Sequence, residues 1–196
     1  MLKRRDLQII SKIISPGSRV LDLGCGEGSL LKELINNKNI TGLGIEISLE
    51  RIKKCIEYGI SVIQEDLNEG LKDFKDKSFD YVILSQTLAD ISKPVYLIKE
   101  MLRVGKKSII SFENLAYWRN RILFLFKGNL KESNYYVKLQ HDYKKQQIFT
   151  ISKFRILCEL YNFKVYKEIY LPKGPLNLTS KFPNILSKTA IFILNA

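Results

Sequence analysis

Short, almost continuously apolar runs alternate with segments of helical spacing along most of the chain. Residues 19–23 (RVLDL), 40–46 (ITGLGIE), 61–64 (SVIQ), 79–85 (FDYVILS) and 108–112 (SIISF) are the runs. Between and before them, apolar residues recur every three or four positions. Leu7, Ile10 and Ile14 do so before Pro16-Gly17 stops the pattern, and further segments cover 28–36 and 94–104. Ser48 is placed to cap a helix with the face Leu49, Ile52 and Ile56 and with Glu50 in its first turn. A strand that is apolar on both faces must be covered on both. Strands separated by helices pair in parallel. The expectation is an α/β chain with a doubly wound sheet.

After Phe112 the rhythm changes. Residues 114–126 read as an amphipathic helix ending at Gly128, and 129–149 are polar and aromatic with no period. So long a connection suits a cap, and 113–149 is expected to form a lid. Thr150 or Ser152 then caps a helix through Tyr161. Residues 163–171 and 188–194 read as strands, and Pro172, Gly174, Pro175 and Pro183 break the link between them. That link is too short and broken for a crossover helix, so the pair should be an antiparallel hairpin at the sheet's edge. At 196 residues the chain is expected to be one domain, 1–196, carrying the lid.

Composition closes off several classes. Apolar residues at 45% and charged residues at 27% exclude a disordered chain. Three widely spaced cysteines without a C-x-x-C fit neither a disulfide framework nor a zinc ribbon, and point to a reducing cytoplasm. No apolar run has the roughly 18 residues of a membrane span, and Asp6, Gln8 and Lys12 interrupt what a signal peptide would need. The net charge is +12, of which +9 falls in residues 113–196. A basic half suits an anionic partner. The 24 lysines, 25 isoleucines and 12 asparagines equally describe a compositional bias spread over a solvated exterior. Tyr135, Tyr136, Lys138, Tyr143, Lys144 and Lys145 interleave aromatics with bases, but no RNA-binding motif accompanies them, so nucleic acid is not expected. His141, the single histidine, reads as a surface residue, and no cluster has metal-ligand spacing.

The segment Val20-Leu21-Asp22-Leu23-Gly24-Cys25-Gly26-Glu27-Gly28 joins a strand to a helix. Its spacing is G-x-G-x-G, whereas the dinucleotide fingerprint is G-x-G-x-x-G. Asp22 stands where it would repel a pyrophosphate and suits a ligand with an amine. Gly24 and Gly26 let the backbone approach that ligand, and Cys25 is a small residue in the turn. Glu46 ends the second run, 18 residues after Gly28, where a carboxylate can accept from ribose hydroxyls. Asp66 follows the third run, where it can accept from an adenine amino group, with Ile47 or Leu67 against the ring. Each acid alone also reads as a solvated loop end. Together they describe a site for an adenosine bearing an amino-acid tail, which is S-adenosylmethionine or its product S-adenosylhomocysteine. Ser85, Gln86 and Thr87, with Glu113 and Asn114, are candidates to face the sulfonium.

This ordered set, with Phe79-Asp80-Tyr81-Val82-Ile83, resembles class I S-adenosylmethionine-dependent methyltransferases. The resemblance implies a Rossmann-like sheet of about seven strands, the last antiparallel. A closer resemblance, to the methionine-biosynthesis MetW family, rests on Pro16-Gly17-Ser18-Arg19-Val20-Leu21-Asp22, on Ser85-Gln86-Thr87-Leu88 after the fourth strand and on Glu100-Met101-Leu102-Arg103-Val104-Gly105-Lys106. It implies a role beside homoserine O-acyltransferase. The chain departs from that family's pattern at Glu113-Asn114 and through 129–149. Methyl transfer is an in-line displacement that positioning alone can drive, so no catalytic residue is named and activity stays open. The alternative is a methyltransferase acting on a small molecule.

Overall fold

The first apolar run becomes the central strand β1 (Arg19–Leu23), and the chain then winds outward in two directions from it. Helix α1 (Arg5–Ile13) precedes β1. After it come α2 (Ser29–Lys38), β2 (Thr41–Glu46), α3 (Leu49–Glu57) and β3 (Val62–Gln64). Next are β4 (Phe79–Ser85), α4 (Pro94–Val104) and β5 (Gly105–Glu113). The last part carries α5 (Trp118–Lys127), α6 (Ile151–Leu160), β6 (Lys164–Pro172), the single turn α7 (Pro183–Leu186) and β7 (Ser187–Asn195). The structure is a computed structural model and describes residues 2–128, 147–172 and 181–196. Its one sheet runs in the order β3-β2-β1-β4-β5-β7-β6, with β7 antiparallel to both neighbours and the other pairings parallel.

Both faces of the sheet are covered, which explains why the central strands are continuously apolar. Successive residues go to opposite sides. Leu21, Leu23, Val82 and Leu84 join one core with Met101, Phe154 and Phe192, whereas Val20, Tyr81 and Ile83 join the other with Ile10, Leu31 and Ile191. The first core centres on aromatic contacts of Phe154 with Phe192 at 4.6 Å and with Phe112 at 5.0 Å. Gly28 opens α2 with φ +74°, and a Cβ there would lie 2.5 Å from Ile60 Cδ1.

The antiparallel strand pair forms as expected, with β6 on the edge and β7 inserted between β5 and β6. Three local expectations need correction. Ser48 stands at the start of α3, but its side chain makes no capping bond, whereas Thr150 accepts from Lys153 N at 3.0 Å. The helix expected over 114–126 begins only at Trp118. It also buries no residue, leaving Phe124 and Phe126 at 59% and 79% exposure. Residues 114–117 are withheld from α5 because Asn114 holds them elsewhere. The middle of the expected lid, 129–146, lies outside the described residues.

Asn114 is 1% exposed and all of its amide is used. Nδ2 donates to Asn184 O and Ser187 O, each at 2.9 Å, and Oδ1 accepts from Ala116 N and Ile151 N at 3.2 and 3.3 Å. One side chain thus joins the exits of β5 and α7 to the entry of α6. Asn114→Ala should lower unfolding free energy by about 2–4 kcal/mol, since it leaves buried partners unsatisfied. Urea unfolding would show this as a lower midpoint at unchanged slope.

Candidate functional site

The order of winding reverses between β1 and β4, and a crevice opens there at the carboxyl ends of the strands. It is a cleft of about 830 Å³, a volume suited to a nucleoside-sized ligand. Eleven of the thirteen residues named from sequence line it. Asp22, Gly24, Cys25 and Gly26 come from the end of β1 and its turn, Glu46 and Ile47 from the end of β2, Asp66 and Leu67 from beyond β3, and Ser85 from the end of β4. Gln86 and Thr87 also line it, whereas Glu113 and Asn114 do not. Glu113 pairs with Lys188 at 3.6 Å, and Asn114 is occupied as described.

The glycine turn is held against β2. Gly24 N and Cys25 N both donate to Ile45 O, at 2.8 and 3.0 Å. Gly24 (φ +68°) has no room for a Cβ, which would lie 2.7 Å from Thr87 Oγ1. Gly26 (φ +60°) differs, because a Cβ there would meet no atom of the chain within 4 Å. Its backbone therefore borders open space. The Cys25 thiol is buried, its pKa is raised chiefly by that burial, and its sulfur lies 4.0 Å from Cys55 Sγ. A thiol kept protonated is a wall of the site and not a nucleophile.

The acids differ in how much of their acceptor capacity is free. Glu46 is 4% exposed and takes three backbone N–H groups: Gly26 N at 2.9 Å on Oε2, and Ile47 N and Ser48 N at 3.0 Å on Oε1. A carboxylate offers about four acceptor sites, so capacity remains on Oε2, which Arg51 Nη1 also faces as an ion pair at 3.7 Å. Asp66 uses only Oδ1, towards Asn68 N and Nδ2 at 3.0 and 2.8 Å. Asp22 is 3% exposed and makes no hydrogen bond to any described residue. Burial pushes its pKa up to about 7, Arg4 opposes that rise, and Glu46 adds to it. A buried carboxylate facing a cleft with no partner from the described residues is costly unless a ligand supplies one.

Two residues of the site went unnoticed in the sequence. In the sequence Asp6 only interrupts an apolar stretch, and Arg4 is not singled out. In the fold Asp6 is 5% exposed and accepts from Arg4 Nη2 at 2.6 Å, Ser111 Oγ at 2.9 Å and Ser85 Oγ at 3.1 Å. Burial would raise its pKa, but these donors outweigh it and hold the carboxyl below the usual range. Among the described residues no group of acids, cysteines and histidines is arranged to hold a metal, and His141 and the aromatic-basic stretch 135–145 lie outside them.

A family model described as methionine biosynthesis protein MetW matches residues 4–194. The bifunctional methionine biosynthesis protein MetXA/MetW of Rhodopirellula baltica is 34% identical over 197 residues, which cover 95% of this chain and 32% of that protein. The ubiquinone biosynthesis O-methyltransferase of Hahella chejuensis is 31% identical over 140 residues, covering 66% of this chain and 57% of that one. The chain thus spans about a third of the first relative's length and under two thirds of the other's. Among solved structures, a SAM-dependent methyltransferase from Archaeoglobus fulgidus superposes with a TM-score of 0.72 at 19% identity, covering 97% of this chain and 91% of that one. The [4+2]-cyclase SpnF superposes with a TM-score of 0.69 at 15% identity, covering 97% and 80%. The fold is therefore that of class I methyltransferases, and the cyclase shows that it does not dictate one reaction.

The raised Asp22 pKa fixes the sign of a stability effect. The folded chain holds a proton that the unfolded chain releases near pH 4, so Asp22 costs stability progressively as pH rises from about 4 to about 7. Asp22→Asn should flatten that slope and stabilise the protein at pH 7 by about 1–3 kcal/mol, measured by urea unfolding across the range.

Proposed function

The chain belongs to the methionine biosynthesis protein MetW family, and on that premise we propose that its cleft binds S-adenosylmethionine or S-adenosylhomocysteine. The observation that carries the proposal is Asp22: a buried carboxylate without a partner among the described residues, facing a cleft that also holds Glu46 at the end of β2 and Asp66 beyond β3. An ammonium group is the partner it lacks. The acceptor capacity left on Glu46 Oε2 is open to the ribose hydroxyls. The free Oδ2 of Asp66 takes an adenine amino group, with Ile47 and Leu67 as apolar walls. Gly26, with open space where a Cβ would be, lets the ligand lie against the turn. The residues present therefore fit the ligand.

When bound, S-adenosylmethionine supplies a methyl group on a positively charged sulfur. The chain's own part is to bind and orient it. Ser85 and Asp6 are poor bases, because the donors around Asp6 hold its pKa low and Ser85 is engaged with Arg4, Asp6 and Ser111. This favours a binding role in methionine biosynthesis over general-base chemistry. The relative that joins MetXA and MetW in one polypeptide supports homoserine O-acyltransferase as the partner. Resemblance to the Hahella O-methyltransferase supports the second reading, methyl transfer to a small molecule.

Titration calorimetry with S-adenosylhomocysteine tests the proposal, and an absence of binding would overturn it. Glu46→Gln should weaken binding by about tenfold, the scale of one hydrogen bond to a charged group. Asp22 adds a proton signature. With its pKa raised to about 7 the carboxyl carries a proton for part of the time near neutral pH, and an ammonium ligand favours the ionised form. Binding near pH 7 should therefore release a fraction of a proton, and the apparent enthalpy should vary with the ionisation enthalpy of the buffer. Asp22→Asn should abolish that variation.

A further inference from the structure

Arg51, Lys54 and Cys55 share one face of α3, spaced three and four residues apart, and all three reach the turn after β1 or the acid that holds it. Arg51 Nη1 faces Glu46 Oε2 at 3.7 Å, Lys54 pairs with Glu27, and Cys55 Sγ approaches Gly26 O at 3.2 Å. Cys55 has no exposed surface, and its sulfur lies 4.0 Å from that of Cys25. Glycines enclose the two thiols. A Cβ on Gly44 would lie 2.5 Å from Cys25 Sγ, and one on Gly28 would lie 3.1 Å from Cys55 Sγ. Of the pair, Cys25 lines the cleft and Cys55 does not. The third cysteine, Cys158, belongs to the core on the other face of the sheet.

A dry site that opposes a thiolate does not oppose a disulfide. Burial holds both thiols protonated, because a charge there would be poorly solvated. Joining the sulfurs removes two protons and two electrons and leaves no charge behind. To bond, they must close from 4.0 Å to about 2.05 Å. Cys55 is fixed within the backbone of α3, whereas Cys25 stands between Gly24 and Gly26, both at positive φ. The glycine turn is therefore the part that yields. Drawing Cys25 towards α3 pulls with it the backbone of Gly24 and Gly26, which borders the cleft.

We propose that Cys25 and Cys55 are a redox pair whose disulfide closes the cleft to S-adenosyl ligands. This rests on the reading that the cleft takes such a ligand. The oxidant is a hydroperoxide small enough to enter the cleft, with hydrogen peroxide as the simplest case. The Cys25 sulfur, through its small thiolate fraction, attacks one peroxide oxygen and becomes a sulfenic acid, and one water leaves. The Cys55 sulfur then displaces that oxygen, the S–S bond forms, and the oxygen departs as a second water with the remaining thiol proton. The two sulfurs together lose two electrons, and the broken O–O bond takes them. The reaction is slow because so little thiolate is present, and a bound ligand slows it further by covering Cys25. A dithiol reductant reverses it. The coupling is mutual: a ligand excluded by the disulfide stabilises the dithiol. In a reducing compartment such a bond is transient, which suits a sensor and not a structural bridge.

Two readouts on the whole chain test this, before and after hydrogen peroxide. Thiol titration in urea should fall from three free thiols to one, and peptide mass spectrometry should find Cys25 joined to Cys55 with Cys158 unchanged. S-adenosylhomocysteine present during the treatment should slow the loss. Calorimetry should show the oxidised protein binding S-adenosylhomocysteine at least about tenfold more weakly, with affinity restored by dithiothreitol. Cys55→Ala should bind within about threefold of the wild type and should keep that affinity after peroxide. Cys25→Ala covers the case in which Cys55→Ala does not fold, since it too must leave no disulfide to map. The proposal is overturned if peroxide carries Cys25 to a sulfinic acid without joining Cys55, if all three thiols survive, or if the disulfide form binds as tightly as the dithiol. If the reduced wild type binds no S-adenosylhomocysteine, the S-adenosyl reading fails and the gating role falls with it. That failure is distinguishable, because the disulfide map is read without any ligand.

Discussion

Parallel pairing of β1 with β2 on one side and β4 on the other is the constraint on which the cleft depends. It brings three strand ends to one edge and pairs Asp22 with Gly44 and with Ile83. Asp22 lies one residue short of the end of β1, so its carboxylate rises from within the sheet and stays dry. Gly44 completes the arrangement. A Cβ there would lie 2.5 Å from Cys25 Sγ, so the glycine in β2 is what lets the turn after β1 fold back over its neighbour. The loop, the buried acid and the space above them follow from one register.

The electrostatics of the site run against those of the chain. The protein carries +12, yet the cleft is lined by Asp22, Glu27, Glu46, Glu65, Asp66 and Asp90 against Arg4 and Arg51. Net charge therefore describes the lysine-rich exterior and says little about what the cleft accepts. Within it, the acids have been given different roles by their surroundings. Glu46 is mainly a scaffold for the backbone of its own loop and of Gly26. Asp6 is held ionised by the donors around it. Asp22 is both buried and, among the described residues, without a partner, and so it is the group whose state a ligand changes.

What was legible in the sequence is what short-range spacing encodes. The glycine turn and the acids after each apolar run sit at strand ends, and a parallel sheet collects all such ends at one edge, so their convergence could be read from order alone. Asp6 could not be found this way, because its partners Ser85 and Ser111 are 79 and 105 residues away and nothing local marks it. Asn114 was misplaced for a similar reason. Its position after β5 is shared by residues that face a ligand, but contacts to Asn184 and Ser187 turn it into the core. Helix α5 failed differently. Its apolar residues have helical spacing, but in the fold none of them is buried.

The backbone bond from Leu115 N to Phe149 O, 3.1 Å long, closes the chain between these residues into a loop whose ends are anchored beside Asn114 and the phenylalanine core. For a loop with fixed ends, doubling its length costs only about 0.6 kcal/mol in closure entropy. Lengthening or rewriting that stretch therefore leaves the sheet and the cleft almost untouched in energy. A change in the number of residues between Leu115 and Phe149 is therefore carried at little cost, because the bond that closes the stretch is set by its two ends.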